Sequence, residues 1–493
     1  MKPILVTGAT GYIGGRLVPQ LLEKGYPVRC LARDPRKLAG RDWSDRVEIV
    51  SGDMLDPESL WPALKGCAAA YYLVHSMVSG EGSFEDRDRR AASNFAGAAA
   101  EAGLDQIIYL GGLGRRSDQL SKHLSSRHEV GDVLRSGPVP VTELRAAMII
   151  GSGSASFEMM RAIVRRLPVM ICPRWVETKC QPIAIRDVLS YLVGSLESPE
   201  LVGGSFDIGG PDVLTYKEMM LRFASILGKR RWMVVVPVLT PHLSAYWVNL
   251  VTPIPASLAF PLIEGLRSEV ICEDDRIRSL LPIEPLGFGD AVQLALDKIY
   301  RNDVSTRWAN AGMPGRKSPA PHSPFDPAAF PIQDQQRVEA EAPARVLFDR
   351  VRRIGGSVGW YYADWLWQIR GLMDRIIGGA GLRRGRRDPV EIYNGDALDF
   401  WRVEDFVAGH RLLLHAEMRV PGDAWLEFRV RELGENRSEL VQTAFFRPSP
   451  FWGRLYWNLC YPFHIFIFSG MARSIARAAK SAAVCLVQHG RNL

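Results

Sequence analysis

Apolar residues in the first part of the chain fall in short unbroken runs. Ile4-Leu5-Val6, Val28 with Cys30-Leu31-Ala32, Val47 with Ile49-Val50, and Ala69 to Val74 are too short for core helices and too continuous for strands with one wet face. Such runs predict strands buried on both sides. Between them, the spacing of Ile13, Leu17, Leu21 and Leu22 and the small apolar residues along one face from Arg87 to Ala102 predict helices. Asp105 to Leu110 predicts a fifth strand, and Val141 to Gly151 a sixth that leaves the sheet. Alternation of strand and helix predicts an α/β domain built on a doubly wound parallel sheet, with ligands at the carboxyl ends of its strands. Ser152 to Pro173 reads as an excursion with a helix through Phe157, Met160, Ile163, Val164 and Leu167. Gln181 to Val188 is predicted to return to the sheet as a strand entering a helix, and Phe206 to Pro211 to close the region.

The pattern changes near Asn302. Met313-Pro314-Gly315, Ser318-Pro319-Ala320-Pro321, Ser323-Pro324, Asp326-Pro327 and Phe330-Pro331 remove donors and restrict φ, so 302–335 is predicted to be a linker between domains 1–301 and 336–493. After it, Arg337 to Ala344 alternates as a strand entering a helix, and Trp360 to Ile377 reads as a Trp-rich amphipathic helix. Strands at Asp399 to Val403, Arg411 to Met418, Ala424 to Arg429 and Leu440 to Phe446 are separated by polar or Gly-bearing turns. A terminal helix is predicted from Trp452 to Ala483, broken at Pro462.

The turn after the first strand carries the first chemistry. In Thr7-Gly8-Ala9-Thr10-Gly11-Tyr12-Ile13-Gly14-Gly15, the glycines at 8, 11 and 14 suit a tight turn, close approach to a pyrophosphate, and close packing of helix on strand. The following helix would aim its N-terminal amides at that phosphate, which marks dinucleotide binding. At the end of the second strand, Arg33 suits a ribose 2′-phosphate and so favours NADP, while the adjacent Asp34 keeps NAD open.

Composition narrows the remaining classes. With 47% hydrophobic and 23% charged residues, the 493-residue chain has the make-up of a globular protein large enough for two or three domains. A net charge of +7 is modest at this length, and no aromatic-interleaved basic groove points to nucleic acid. The densest basic cluster is Arg383-Arg384 with Arg386-Arg387, which suits an anionic cofactor or anionic lipid. Seven cysteines fall singly, which argues for a reducing compartment and against a metal site. Met1-Lys2 and the apolar run after it read as the first strand and not as a signal peptide. Val238 to Leu262 holds no Asp, Glu, Lys or Arg, but Pro241, Pro253, Pro255 and Pro261 argue against a spanning helix and for short buried helices or a lid.

On these residues the first 300 or so positions resemble the extended or atypical short-chain dehydrogenase/reductase superfamily, and within it the NmrA-like NAD(P)-binding proteins. The resemblance implies a Rossmann fold and a cofactor site of Gly8, Thr10, Gly11, Tyr12, Ile13 and Gly14, with Arg33. It further implies that Asp53 and Met54 meet the adenine, and that Leu73, Val74, His75 and Gly111 line the path to the nicotinamide. It implies too that the excursion builds the substrate side of the cleft, lined by Phe157, Met159, Met160 and Trp175, although such a stripe at helical spacing also suits plain core.

The catalytic half of the family pattern departs. Leu110-Gly111-Gly112-Leu113-Gly114 stands where a serine is usual, and the Tyr-x-x-x-Lys pair falls on His123 and Arg127. Two readings stay open: His123 donates a proton while Arg127 holds the ribose, or the site no longer turns over and both are helix-surface residues.

The C-terminal order of elements resembles the helix-grip fold of the START/polyketide-cyclase-like superfamily. More closely it resembles the uncharacterised DUF2867 family, found behind NmrA-like domains in bacteria, on Gly359-Trp360-Tyr361-Tyr362-Ala363-Asp364, Gly395 to Val403 and Phe451 to Trp457. Seven of the 13 tryptophans lie from Trp360 onward, which suits an apolar pocket, a Trp-heavy core or a membrane-facing surface. The aromatic run Tyr456 to Phe468, flanked by Arg454 and Arg473, is too short to span a bilayer comfortably and suits its surface.

Together these readings describe a cytoplasmic protein with peripheral inner-membrane contact left open. It is expected to reduce a hydrophobic carbonyl, enone or quinone-like substrate with NADPH. The alternatives are a non-catalytic NADP-responsive sensor or assembly factor, and a hydrophobic-ligand carrier.

Overall fold

The computed structural model describes residues 1–75, 83–115, 121–236, 248, 251–301, 303–311, 325–382 and 385–490. The chain divides into two compact units, Met1–Pro321 and His322–Leu493.

In the first unit β1 (Ile4–Thr7), α1 (Gly14–Glu23), β2 (Val28–Ala32), β3 (Glu48–Ser51), α2 (Pro57–Leu64) and β4 (Ala69–Tyr72) follow in turn. Next come α3 (Phe84–Ala102), β5 (Gln106–Gly112), α4 (Lys122–Arg135) and β6 (Val141–Ala146). The sheet is completed through β7 (Ile149–Ile150), α5 (Ala155–Arg166), β8 (Ile183–Ala184), α6 (Ile185–Glu197) and β9 (Ser205–Ile208). Seven strands pair in the order β3-β2-β1-β4-β5-β6-β9, all parallel. This is the doubly wound sheet the apolar runs predict. Alternate residues of each run go to opposite cores: Ile4, Val6, Tyr71 and Ile108 to one, Leu5, Ala70, Tyr72 and Ile107 to the other. The order reverses between β1 and β4, which opens a crevice at their carboxyl ends.

Several expectations need correction. Val141 to Gly151 is two strands, and β7 pairs with β8 outside the main sheet. Gln181 to Val188 therefore does not return to that sheet, because β9 already occupies the edge of β6 from Glu143 to Ala146. Phe157 and Met160 are buried in a side core, and Met159 and Trp175 pack into another, so that stripe is core. Of Val238 to Leu262, residues 238–247, 249 and 250 lie outside the described residues; its end forms the ten-residue helix Ala256–Gly265. No described helix is long and apolar enough to cross a membrane.

The Pro-rich segment is also less free than its composition suggests. Thr306, fully buried, accepts a hydrogen bond from Arg16 Nε at 2.8 Å and donates to the Tyr12 carbonyl at 2.9 Å. Its other end, from Ile332, is already strand.

The second unit consists of β10 (Ile332–Ala340), α7 (Ala344–Arg352), α8 (Asp364–Ile376), β11 (Ala397–Leu398), β12 (Trp401–Val407), β13 (Arg411–Ala416), β14 (Gly422–Gly434), β15 (Arg437–Pro448) and α9 (Trp452–Gly490). Its antiparallel sheet runs β10-β15-β14-β13-β12-β11, and α9 packs along β10, β15 and α7 in the helix-grip manner. The break expected at Pro462 is absent. Pro462 and Asn458, whose carbonyl it leaves without its helical partner, are both on the exposed side, where that carbonyl is open to solvent. Part of the basic cluster turns inward: Arg386 donates to the carbonyls of Arg352 and Ile354 at 2.7 Å, and Arg387 pairs with Asp396 at 3.2 Å. Arg383 and Arg384 lie outside the described residues.

Candidate functional site

The loop after β1 is tied to the chain after β4 before any ligand is considered. Thr7 Oγ1 donates to the Tyr71 carbonyl at 2.9 Å and accepts from the Leu73 amide at 3.0 Å. Gly8 takes φ +69°, and a Cβ there would lie 2.7 Å from the Leu73 carbonyl oxygen. A Cβ on Gly14 would lie 2.4 Å from the Gly8 oxygen, so helix and strand approach as closely as the sequence predicts. At Gly11 the one near atom is the Gly8 oxygen, at 3.1 Å. No side chain caps the first turn of α1; its Gly15 and Arg16 amides donate to the Gly11 and Ile13 carbonyls at 3.2 and 3.0 Å. These residues fit the pyrophosphate of a dinucleotide.

Thr10 is partly exposed on this loop. Tyr12 and Ile13 brace it from behind. Ile13 packs against the core, and a Cβ on Gly151 would sit 2.4 Å from the Tyr12 hydroxyl. Burial raises the Tyr12 pKa well above its ordinary value, and Arg16 lies over the ring at 4.8 Å.

At the far end of the crevice Arg33 is exposed, just past β2. Asp34 is occupied: it accepts from the Arg36 amide at 3.1 Å and from Arg36 Nε and Nη2 at 2.9 and 3.0 Å. Burial opposes its ionisation, but the bonds and charge of Arg36 hold its carboxyl below the usual range. Asp53 Oδ1 accepts from the Leu55 amide at 3.0 Å, and the Asp53 amide donates to Ser59 Oγ at 2.9 Å. Met54 is packed with Leu5 and Leu31 in the core, and its carbonyl accepts from Asn94 at 3.0 Å.

Leu73 and Val74 lead out of β4 to His75 and are packed against opposite cores. His75 Nδ1 lies 2.9 Å from Asp88 Oδ2, with both side chains buried, and its Nε2 lies 3.1 Å from Nδ1 of His123. Ser126 Oγ also donates to Asp88, at 3.3 Å. Burial, reinforced by the charge of Arg127, lowers His75 to about 4 in spite of Asp88. Burial, His75 and Arg127 push His123 well below its ordinary value.

The glycines that replace the expected serine have a structural reason. A Cβ on Gly111 would lie 2.8 Å from Glu143 Oε1, a buried carboxylate paired with Arg135. A Cβ on Gly112 would lie 3.1 Å from Leu124 Cδ2 and 3.5 Å from Arg127 Cβ. The bare end of β5 thus lets α4 come close enough to deliver His123 and Arg127. Arg127 Nη1 donates to the Leu110 carbonyl at 3.4 Å, and no described carboxylate pairs with its guanidinium.

The structure therefore gathers the Gly-rich loop, Leu73 to His75, His123 and Arg127 around the crevice. The member that sequence reasoning missed is Asp88. Its signal was present: Asp88 shares a helical face with Ala92, Phe95 and Ala99, so α3 carries one acid within its apolar stripe.

Comparison with known proteins agrees with both units. Residues 8–149 match the NAD(P)H-binding domain family, and residues 327–471 match DUF2867, a family of unknown function. The chain is 28% identical over 233 residues to the (4-alkanoyl-5-oxo-2,5-dihydrofuran-3-yl)methyl phosphate reductase of Streptomyces griseus, covering 46% of this chain and 74% of that protein. It is 26% identical over 236 residues to the ceramide reductase of Caulobacter vibrioides, covering 48% and 73%. Among solved structures, a nucleoside-diphosphate-sugar epimerase of Staphylococcus aureus superposes with TM-score 0.50 at 17% identity, over 59% of this chain and 99% of that one, which is a likeness of fold. The chain thus carries, one after the other, a stretch that matches the NAD(P)H-binding family and a stretch that matches DUF2867.

Proposed function

We propose that the first unit is an NADPH-dependent reductase of a hydrophobic carbonyl, enone or quinone-like compound. The observation that carries this reading is the chain Asp88–His75–His123 at the point where the sheet reverses its strand order. A surface pair of histidines would have no such buried support.

The bound cofactor supplies the hydride. Gly8, Gly11 and Gly14 would admit its pyrophosphate, Arg33 would hold the 2′-phosphate, and Arg127 would hold the ribose. With Asp34 already engaged by Arg36, no acid beside Arg33 is left to favour the 2′-hydroxyl of NAD.

Proton movement follows from the hydrogen bonds. Asp88 accepts the Nδ1 proton of His75. In the neutral chain, His75 Nε2 then accepts from His123 Nδ1–H, so His123 Nε2 is left bare and acts as a base. One added proton reverses this: His75 becomes an imidazolium held by Asp88, donates from Nε2, and leaves His123 protonated on Nε2. From there the proton passes to the substrate oxygen, and the His75 Nε2 proton follows onto His123 Nδ1. His123 is thus a donor through His75 and Asp88, not by itself. The two relatives named as reductases support the direction.

The test is titration of the full-length protein with NADPH and NADH by nicotinamide fluorescence, in the wild type and in Arg33→Asp. Preference for NADPH that falls about tenfold or more in the variant supports the assignment, as one charge-assisted contact warrants. Equal binding of both cofactors, unchanged in Arg33→Asp, refutes the NADPH preference. Binding without turnover on any carbonyl, enone or quinone, with His123→Ala indistinguishable from wild type, would make the unit a cofactor-responsive sensor.

A further inference from the structure

The second unit contains a cavity of about 320 Å³ between α8, the sheet and the first half of α9. Its wall is mainly apolar and aromatic, with Trp401, Trp425, Phe445, Trp457 and Phe468 prominent. The volume is at the low end for small-molecule pockets, about 300–1,000 Å³, which suits one apolar chain and not two.

Several polar groups interrupt this wall. Arg370 donates from Nη2 to the Tyr456 hydroxyl, its Nε lies 3.1 Å from Met418 Sδ, and no described carboxylate pairs with it. Asp374, the acid of the lining, is engaged elsewhere: it accepts from the Gly381 amide at 2.8 Å and the Arg419 amide at 2.7 Å. Trp367, only 4% exposed, has its indole N–H buried with no acceptor among the described residues. His464, held between Trp457 at 4.8 Å and Phe468 at 5.2 Å, has a buried Nδ1 without a partner. Burial first, and Arg370 second, lower His464 to about 3 and keep it neutral.

A half-buried guanidinium that meets no described carboxylate, and a buried indole N–H that meets no acceptor among the described residues, stand out in one mainly apolar wall, because buried polar groups in folded proteins are as a rule satisfied. The missing partner is an acceptor with negative charge. Beside the cavity, Met373, Ile377 and Phe463 belong to its lining and are also largely exposed, which gives it an apolar mouth.

We propose that this cavity binds a single-chain amphiphile with an anionic head, a carboxylate or a phosphate monoester, the head on Arg370 and the Trp367 indole and the chain among the aromatic side chains. This goes beyond the reductase reading and does not depend on it.

Trp367, Trp401, Trp425 and Trp457 all line the cavity, so the full-length protein carries its own reporter. Its tryptophan fluorescence is followed with stearic acid bearing a nitroxide at the chain end, below the micelle concentration. Palmitate, hexadecyl phosphate and hexadecanol are then compared as competitors. The expected result is quenching that one of the anions reverses at about tenfold lower concentration than hexadecanol. The tighter anion identifies the head. In Arg370→Gln, that anion should fall to the level of hexadecanol.

Absence of quenching overturns the proposal, as does equal competition by all three compounds in the wild type. That comparison needs no variant and decides the matter even if Arg370→Gln does not fold. A folded Arg370→Gln that still separates anion from alcohol also overturns it.

Discussion

Gly14→Ala tests how the cofactor cradle is built. The new methyl would lie 2.4 Å from the Gly8 oxygen, 2.8 Å from the Gly8 carbonyl carbon and 3.0 Å from Ala9 Cα. All three are backbone atoms, so no side chain can turn aside. Ordinary contact requires the loop after β1 to move by about 1 Å. Overpacking of this kind costs about 1–3 kcal/mol. Alanine in a helix recovers at most about 1 kcal/mol over glycine. The clash wins, and the net loss is about 1–2 kcal/mol. The shift is about 2–4 °C per kcal/mol for a domain of 150–250 residues and smaller for the longer first unit, so Tm should fall by about 2–4 °C. NADPH affinity should fall at least about tenfold, because the displaced loop carries the first-turn amides with it.

Gly11→Ala separates the two effects. Its methyl meets one oxygen at 3.1 Å, which a shift of a few tenths of an ångström relieves. Tm should stay within a degree or two, a change under about 1 kcal/mol, while NADPH affinity falls as in Gly14→Ala. Differential scanning calorimetry with and without NADPH, and fluorescence titration of each variant, make the comparison. A Gly14→Ala protein with wild-type Tm and affinity would refute the packing argument. Unchanged NADPH affinity in Gly11→Ala would place the pyrophosphate elsewhere.

His75 makes both stability and rate depend on pH. Its folded value of about 4 is below the ordinary 6.5, so between those values the unfolded chain binds a proton that the folded one does not. The stability of the first unit should be complete above pH 6.5 and decline as pH falls toward 4, by roughly 3 kcal/mol, measurable by urea unfolding at several pH values. Reduction needs the protonated chain, so kcat/KM should rise as pH falls from 7, up to about tenfold per unit. A pH-independent rate would exclude the relay. Asp88→Asn removes the anion that holds the imidazolium, and should lower kcat/KM about 10–100-fold without changing NADPH affinity. Gly97→Ala is expected to go the other way: nothing lies within 4 Å of a Cβ there, in the middle of α3, so Tm should rise, by the equivalent of about 0.5–1 kcal/mol.

The proposed hydride transfer would be served here by residue types that depart from the related pattern. Glycines at the end of β5 stand in place of a serine, and they let α4 approach. In the proposed relay the proton source is the pair of histidines carrying one added proton and backed by a buried acid, where the related pattern has a tyrosine and a lysine. Arg127 supplies a permanent positive charge beside them, which together with burial disfavours an imidazolium on either ring.

Local sequence determined the parts of this protein that depend on near neighbours. The unbroken apolar runs specify strands buried on two faces, the spacing of glycines 8, 11 and 14 specifies the turn into α1, and the alternating second half specifies an antiparallel sheet. Only the tertiary structure decided contacts between positions far apart. β9, not the Gln181 segment, became the seventh strand, because an edge strand is chosen by competition for one partner, and local pattern does not record the winner. Pro462 did not break α9, because its cost depends on whether the unpaired carbonyl meets water. Asp88 reached His75 across a chain separation that no periodicity encodes, and burial, a property of the whole fold, then decided which histidines stay neutral. The same holds for Arg370: its sequence neighbours show an ordinary helical arginine, and only the folded unit places it in a largely apolar cavity where Asp374 is already engaged by backbone amides.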